Sequence, residues 1–393
     1  MTGSLFARIS AMRLDRDGTM SIVFKDGRVA AAAGKHEVFT PTSALASSTH
    51  HPHSRQLHLQ TLRGHNVIVE LPRPDDLSPV DGRPTVYLDQ NHWSTLAKTL
   101  HSPERVRDER ERAAAKKLIA LVTDRQVLLP MSFGHVAETC KQVDSNDRYW
   151  LALTILRLSA GWQLRAPLSL RNFELTQAMT SRFRGRCLLP PAAITLEPNA
   201  IKDEQEERLE KINSQLPPEA RWTIHAVSSI SSIADTMLDD EHVAMNPVAA
   251  WVASHQGFAD FLHDNPSEKE LKRRRTHAKF MADTRGEIAM AAARSGITSE
   301  NFSAWLLEHS EEDVRRMPAL GVFREVLHEK LVSTGLGWEE NDLIDMMYLT
   351  AAAGYCDQVV GERSHASHLT NGLRRLGRVG HVHRNLHSLL EEL

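Results

Sequence analysis

Only three of the 393 residues are cysteine: Cys140, Cys187 and Cys356. They lie far apart and form no CxxC pair, which excludes a disulfide framework and predicts a reducing compartment. No run reaches the ~18 apolar residues that a membrane span requires. The first twenty residues carry Arg8, Arg13, Asp15, Arg16 and Asp17, so they offer no apolar signal core. A large net charge of either sign is also missing. The 47 basic residues face 50 acidic ones, a formal charge of −3, so any nucleic-acid binding must use local patches. The GxGxxG, GxxxxGK[ST] and GxSxG elements are absent, which leaves nucleotide-binding and serine-hydrolase readings without support. What remains is a soluble, cytoplasmic globular protein, long enough for two or three domains.

Residues 1–80 form a β-rich N-terminal region. Met20 to Lys25, Gln56 to Gln60 and Val67 to Leu71 read as strands, and Asp26-Gly27 is a hairpin dipeptide. Thr40 to His53, rich in Ser, Thr, Pro and His, reads as a loop. Its His50-His51-Pro52-His53 cluster lacks the further ligands of a closed metal site. The Pro-rich stretch Leu71 to Pro84 ends this region.

From 81 to 175 the pattern is strand, helix, strand, helix, helix, which predicts a parallel sheet. Its strands are Thr85 to Leu88 and Val127 to Pro130. Its helices follow Ser94, run over Arg105 to Thr123, start after Ser132, and run from Asp147 to Ser159. Residues 176–335 read as a helical insertion, with helices at Asp203 to Gln215, Ala278 to Arg294, Phe302 to Ser310 and Gly321 to Ser333. Its Lys272-Arg273-Arg274-Arg275 run is either a phosphate-binding patch or a solvated helix end. From 336 to 393 the α/β pattern returns: a helix from Asn341 stopped at Gly354, a strand Gln358 to Gly361, a strand at His381 to His383 and a closing helix.

Five acids stand out. Asp89 and Glu362 each follow directly on a presumed strand, where a parallel sheet presents its ligand crevice. Asp342 and Asp345 lie three apart in a first helical turn, hence on one face. Glu138 lies on the helix after Ser132. Each has a plain alternative: Asp89 could simply cap a helix, and the Asp342–Asp345 pair could serve the helix dipole. Carboxylates that do converge stay ionised together only with a compensating cation or proton. Hard divalent ions such as Mg²⁺ prefer such all-oxygen surroundings.

These residues carry a family resemblance. Tyr87-Leu88-Asp89-Gln90-Asn91 resembles the opening motif of the PIN-like nucleases, and Ser132 to Glu138 their second motif. Asn341 to Tyr348 with Tyr355 to Glu362 resembles the third and fourth, although the last acid is more often Asp in that family. The resemblance covers roughly 81–175 and 336–393. It implies a PIN-like parallel sheet flanked by helices, carrying the β-rich extension and the long helical insertion. It also implies an Mg²⁺- or Mn²⁺-dependent endonuclease, with RNA ahead of DNA as substrate. Asp89, Glu138 and Asp345 would then be catalytic metal ligands, with Asp342 and Glu362 supporting. Asn91 and Ser132 would be polar partners, and Lys272 to Arg275 a phosphate contact. A toxin-like role with a protein partner such as an antitoxin is compatible. Two alternatives stand beside it: a degenerate PIN-like scaffold that binds RNA or protein without cutting, and a 5′-nuclease-like enzyme on structured DNA.

Overall fold

The computed structural model describes residues 6–33, 43–72, 76–202, 217–239, 249–333 and 337–393. The strands are β1 (Ile9–Asp15), β2 (Met20–Phe24), β3 (Val29–Ala32), β4 (Leu45–His51), β5 (Gln56–Thr61), β6 (Asn66–Glu70), β7 (Val86–Leu88), β8 (Gln163–Leu164), β9 (Ile194–Thr195), β10 (Gln358–Val360) and β11 (Val382–His383). The α-helices are α1 (Gln90–His101), α2 (Glu109–Thr123), α3 (Phe133–Cys140), α4 (Ser145–Ser159), α5 (Pro167–Arg184), α6 (Pro218–Leu238), α7 (Ala249–Asp264), α8 (Lys269–Asp283), α9 (Arg285–Ser295), α10 (Ser299–Ala304), α11 (Ser310–Arg316), α12 (Pro318–Val332), α13 (Asp342–Tyr355), α14 (Arg363–Leu376) and α15 (Leu386–Leu390). The architecture is mixed α/β. Among the described residues no helix is long and apolar enough to cross a membrane.

The chain divides into two compact units. One is Met1–Arg83, Trp93–Leu164 and Ile194–Met245; the other is Pro84–His92, Arg165–Ala193 and Asn246–Leu393.

In the first unit, period-two patterning builds an antiparallel sheet in the order β3-β2-β1-β4-β5-β6. Leu57 and Leu59 on β5 and Val67 and Val69 on β6 alternate inward and are fully buried. Asp26-Gly27 closes β2 onto β3, with Gly27 at a φ of +84° that suits glycine. The loop expected over Thr40 to His53 is instead largely strand. Residues 45–51 form β4, which pairs with both β1 and β5, while 40–42 fall outside the described residues. Ser47, Ser48 and His50 on it are buried. Small polar side chains fit an interior strand once its backbone is paired on both sides, so their chemistry concealed it. His50 packs edge-on against Phe6, and burial pushes its pKa down to about 4.

Val127 to Pro130 is not a strand of the parallel sheet. Its apolar residues are buried, but Pro130 offers no backbone donor. The chain bonds sideways instead: Met131 N donates to Trp162 O at 2.9 Å, and Leu164 N to Met131 O at 2.8 Å.

The second unit holds the parallel sheet, three strands in the order β11-β10-β7. Every residue of β7 and β10 is buried, as expected of parallel strands covered on both faces. The helix expected over Ala278 to Arg294 is broken at Thr284, whose hydroxyl donates back to Phe280 O at 2.8 Å. The helix expected at Asp203 to Gln215 lies outside the described residues. Gly354 does not stop its helix; α13 runs on to Tyr355. A Cβ at Gly354 would meet the Pro318 carbonyl carbon and oxygen at 2.7 Å, so this glycine permits close approach of α13 to the start of α12.

That contact reverses an ordinary helix rule. Gly→Ala in an open helix interior stabilises by up to ~1 kcal/mol. Gly257→Ala on α7, where nothing lies within 4 Å, should raise the melting temperature of the chain. Gly354→Ala should lower it, by the ~1–3 kcal/mol typical of overpacking against rigid backbone. Thermal melts of the two variants check the opposed signs.

Candidate active site at the carboxyl edge of the parallel sheet

Strands β7 and β10 pair in parallel with Val359 opposite Tyr87 and Val360 opposite Leu88. The ladder continues one step further, where Asp89 N donates to Val360 O at 2.9 Å. Both chains then turn into helices, α1 and α14, so Asp89 and Glu362 stand side by side at the carboxyl edge. Asp89 is 9% exposed. Its Oδ1 accepts from Gln90 N at 2.6 Å and its Oδ2 from Glu362 N at 3.2 Å. The carboxylate therefore holds the first amide of α1 and also bridges to the neighbouring strand. Asn91 Nδ2 donates to Glu362 Oε1. Asp345, on the first turn of α13, faces His365 on the first turn of α14, with Oδ2 4.0 Å from Nε2. Asp89, Asn91 and Glu362 are thus tied together at the start of α14, and Asp345 is paired separately with His365 on its first turn.

The other expected site residues are placed differently. Asp342 shares the first turn of α13, but it is buried in an ion pair. Its Oδ1 accepts from Lys330 Nζ at 2.5 Å and its Oδ2 from Glu339 N at 2.5 Å, and Lys330 also lies 5.0 Å from the centre of the Trp338 ring. Its charge is already matched by a lysine, which removes the reason for it to meet a cation. Ser132 and Glu138 belong to the first unit. Ser132 is buried and caps α3 reciprocally, accepting from His135 N at 3.4 Å while its own N donates to His135 Nδ1 at 3.1 Å. That is a capping box closed by histidine in place of the usual Glu or Gln. Glu138 lies half-buried on α3.

The Lys272 to Arg275 run is not one cationic surface. Arg273 makes a two-pronged pair with Glu325, at 3.1 and 3.0 Å. Arg274 pairs with Glu270 one turn back. Arg275 reaches Asn265 O at 3.2 Å and lies over the Phe261 ring. Of the histidines near the site, His368 is buried, and burial holds its imidazole below the ordinary range. His383 spends Nε2 on Gln358 Oε1 at 2.6 Å.

One residue of the fourth-motif segment has a role that the sequence did not reveal. Asp357 precedes β10, and its Oδ2 accepts from both Thr85 N and Thr85 Oγ1 at 2.8 Å. This clamp fixes the β7–β10 register at the amino edge, and so places Asp89 beside Glu362 at the other. Nothing local in the sequence signals it, because its partner lies 272 positions away.

Among the described residues no three His, Cys, Asp or Glu side chains stand together as a metal cage. Mg²⁺, however, is ordinarily held by one or two carboxylates, with waters and substrate phosphates filling the remaining positions. Asp89 and Glu362 fit that donor set: their oxygens are hard, and each Asp89 oxygen keeps a lone pair beyond its one backbone bond.

The two aspartates should separate by stability. Asp342→Asn leaves Lys330 buried without its counter-charge and should cost about 3 kcal/mol. Asp89→Asn keeps one accepting oxygen and should cost about 1 kcal/mol. Urea denaturation of both variants reads the difference, and equal losses would show that Asp342 is not the structural member of the set. Comparison of the chain with protein-family profiles, with curated proteins and with solved structures finds no match.

Proposed function

We propose that the chain is a PIN-like, divalent-metal-dependent endoribonuclease acting on phosphodiester bonds. The observation that carries this reading is the pair Asp89 and Glu362 at the carboxyl ends of adjacent parallel strands, the position where α/β sheets bind their ligands. Their spacing is set by the ladder and the Asp357 clamp, so the pair is held in place before any ligand arrives.

Asp89 and Glu362 would hold Mg²⁺ or Mn²⁺, and Asp345, paired with His365 on the first turn of α14, is the next acid of the same unit. The ion, when bound, would neutralise phosphoryl charge and lower the pKa of an attacking water. Asn91 orients Glu362 by donating to one of its oxygens, which leaves the other to face the ligand. His365 stands next to Asp345, its Nε2 4.0 Å from Oδ2. RNA is preferred to DNA as substrate on the family resemblance. Glu138 and Ser132 keep the family's second-motif positions in sequence. Asp342 and the three arginines of the Lys272 to Arg275 run drop out of the proposed machinery, because each has a partner of its own.

That no third acid is grouped with these two as a metal cage among the described residues favours the scaffold alternative, which binds RNA or protein without cutting. The two readings separate in one assay. With single-stranded RNA and Mn²⁺ the chain should cleave internally, and EDTA should abolish the activity. Asp89→Asn should reduce it by at least about a hundredfold, the scale of losing a principal electrostatic group, and Glu362→Gln should weaken it less. Activity that survives EDTA, or Asp89→Asn at full activity, would contradict the proposal. A wild-type chain that cuts no RNA would leave the scaffold standing, and one that cuts only structured DNA would move the activity to the 5′-nuclease class.

A further inference from the structure

The first unit carries a second concentration of chemistry that the proposed nuclease site does not use. Trp150 on α4 stacks on His101, the last residue of α1, with ring centroids 4.2 Å apart and planes at 26°. His65, in the turn between β5 and β6, meets the Trp150 ring nearly edge-on at 5.0 Å, and its Nδ1 lies 2.8 Å from Tyr149 Oη. The Arg63 guanidinium lies over the Tyr149 ring, 4.1 Å from its centre. Two helical turns beyond Trp150, Arg157 is exposed and anchored through Nε to Asn66 O at 2.8 Å. A shallow hollow of about 100 Å³ runs beside the stacked pair, and Lys98 and Arg105 help to line it.

Basic groups outnumber acidic ones around these rings, although Asp144 and Glu104 as well as Asp147 stand near Arg105. Arg63, Lys98, Arg105 and Arg157 are joined by two histidines, and Asp147 is the one acid that lines the hollow. Asp147 is already taken by Arg105 through two bonds of 2.7 and 2.8 Å. Burial, and after it the positive neighbours Arg157 and His65, hold His101 below its ordinary pKa. Like charges kept this close are relieved by an anionic partner. The aromatic faces narrow its identity further. Inorganic phosphate would need the cations and not the rings, and a duplex keeps its bases stacked where these rings cannot reach them. A single strand offers phosphates and free π-faces together.

We propose that this basic and aromatic patch binds single-stranded RNA, with phosphates passing Lys98 and Arg157 and a base laid against the Trp150–His101 pair. The inference names the substrate form for the nuclease reading and rests on it for the choice of RNA, but binding is read without cleavage.

The test is fluorescence anisotropy of a labelled oligouridylate about ten nucleotides long, in EDTA. The wild-type chain should bind it. Lys98→Glu/Arg157→Glu should weaken binding at least about tenfold and flatten the salt dependence by about 1.4, the value for two lost single-strand phosphate contacts. Lys25→Glu/Arg28→Glu, the same charge change on the β2–β3 hairpin, should bind as wild type. Trp150→Leu, checked for folding by thermal melting, should weaken oligouridylate binding but leave an abasic strand of the same length unaffected. An unchanged affinity and salt slope in Lys98→Glu/Arg157→Glu, tighter binding of duplex than of single strand, or no binding by the wild type would each overturn the patch. Asp89→Asn separates the two proposals, since it should lose cleavage and keep binding. EDTA-sensitive cleavage with an inert patch would sink this inference alone, and patch-dependent binding without cleavage would sink the nuclease reading alone.

Discussion

The second unit depends on the pairing of residues 86–88 with 358–360. Three-residue strands are too short to hold a register by side-chain alternation, and a one-residue slip would turn each buried side chain to the opposite face. The Thr85–Asp357 clamp removes that freedom at one end, with backbone and hydroxyl of Thr85 donating to a single carboxylate oxygen. The Asp89–Glu362 contact marks the other end. Between these two carboxylate contacts the ladder has little choice, and the pair of acids at the carboxyl edge is its direct product.

Around that sheet the helices pack against ions as much as against hydrocarbon. Glu325 on α12 is fully buried, and burial alone would raise its pKa; Arg324, Arg375 and Arg273 together hold it low. Glu174 on α5 is also buried, accepting from Ala319 N and Leu320 N at 2.7 and 2.9 Å and from the Tyr355 hydroxyl at 2.7 Å. There the positive end of α12 meets a carboxylate from another helix, and burial raises its pKa despite those bonds. Removing one member of such a set leaves an uncompensated buried charge, which costs more than the intact set contributes. These groups explain why a helical region rich in charged residues is nonetheless a packed one.

Much of this was legible in the sequence. The hairpins of the first sheet follow from period-two patterning and from Asp26-Gly27, and the strand–acid junctions at Asp89 and Glu362 survive intact. What was not legible has three physical causes. Composition reports burial and not pairing, so Val127 to Leu129 looked like a strand and β4 did not. Spacing along a helix gives a shared face but not the partner on it, so Asp342 and Asp345 looked alike although one meets Lys330 and the other His365. A run of consecutive residues turns about 100° per step on a helix, so Lys272 to Arg275 points in several directions and its arginines find separate partners. Gly354 belongs with these cases: a glycine near a helix end suggests a stop, and only the neighbouring backbone shows that it is a point of contact.

Asp89 and Glu362, on the proposed reading, would hold a divalent ion at the edge of the parallel sheet. Electron paramagnetic resonance of Mn²⁺ titrated into the chain tests it without any substrate. Saturable binding to the wild type should be lost in Asp89→Asn/Glu362→Gln and kept in a folded preparation of Asp342→Asn. Binding that the double substitution leaves untouched, or the absence of saturable binding in the wild type, would contradict the account.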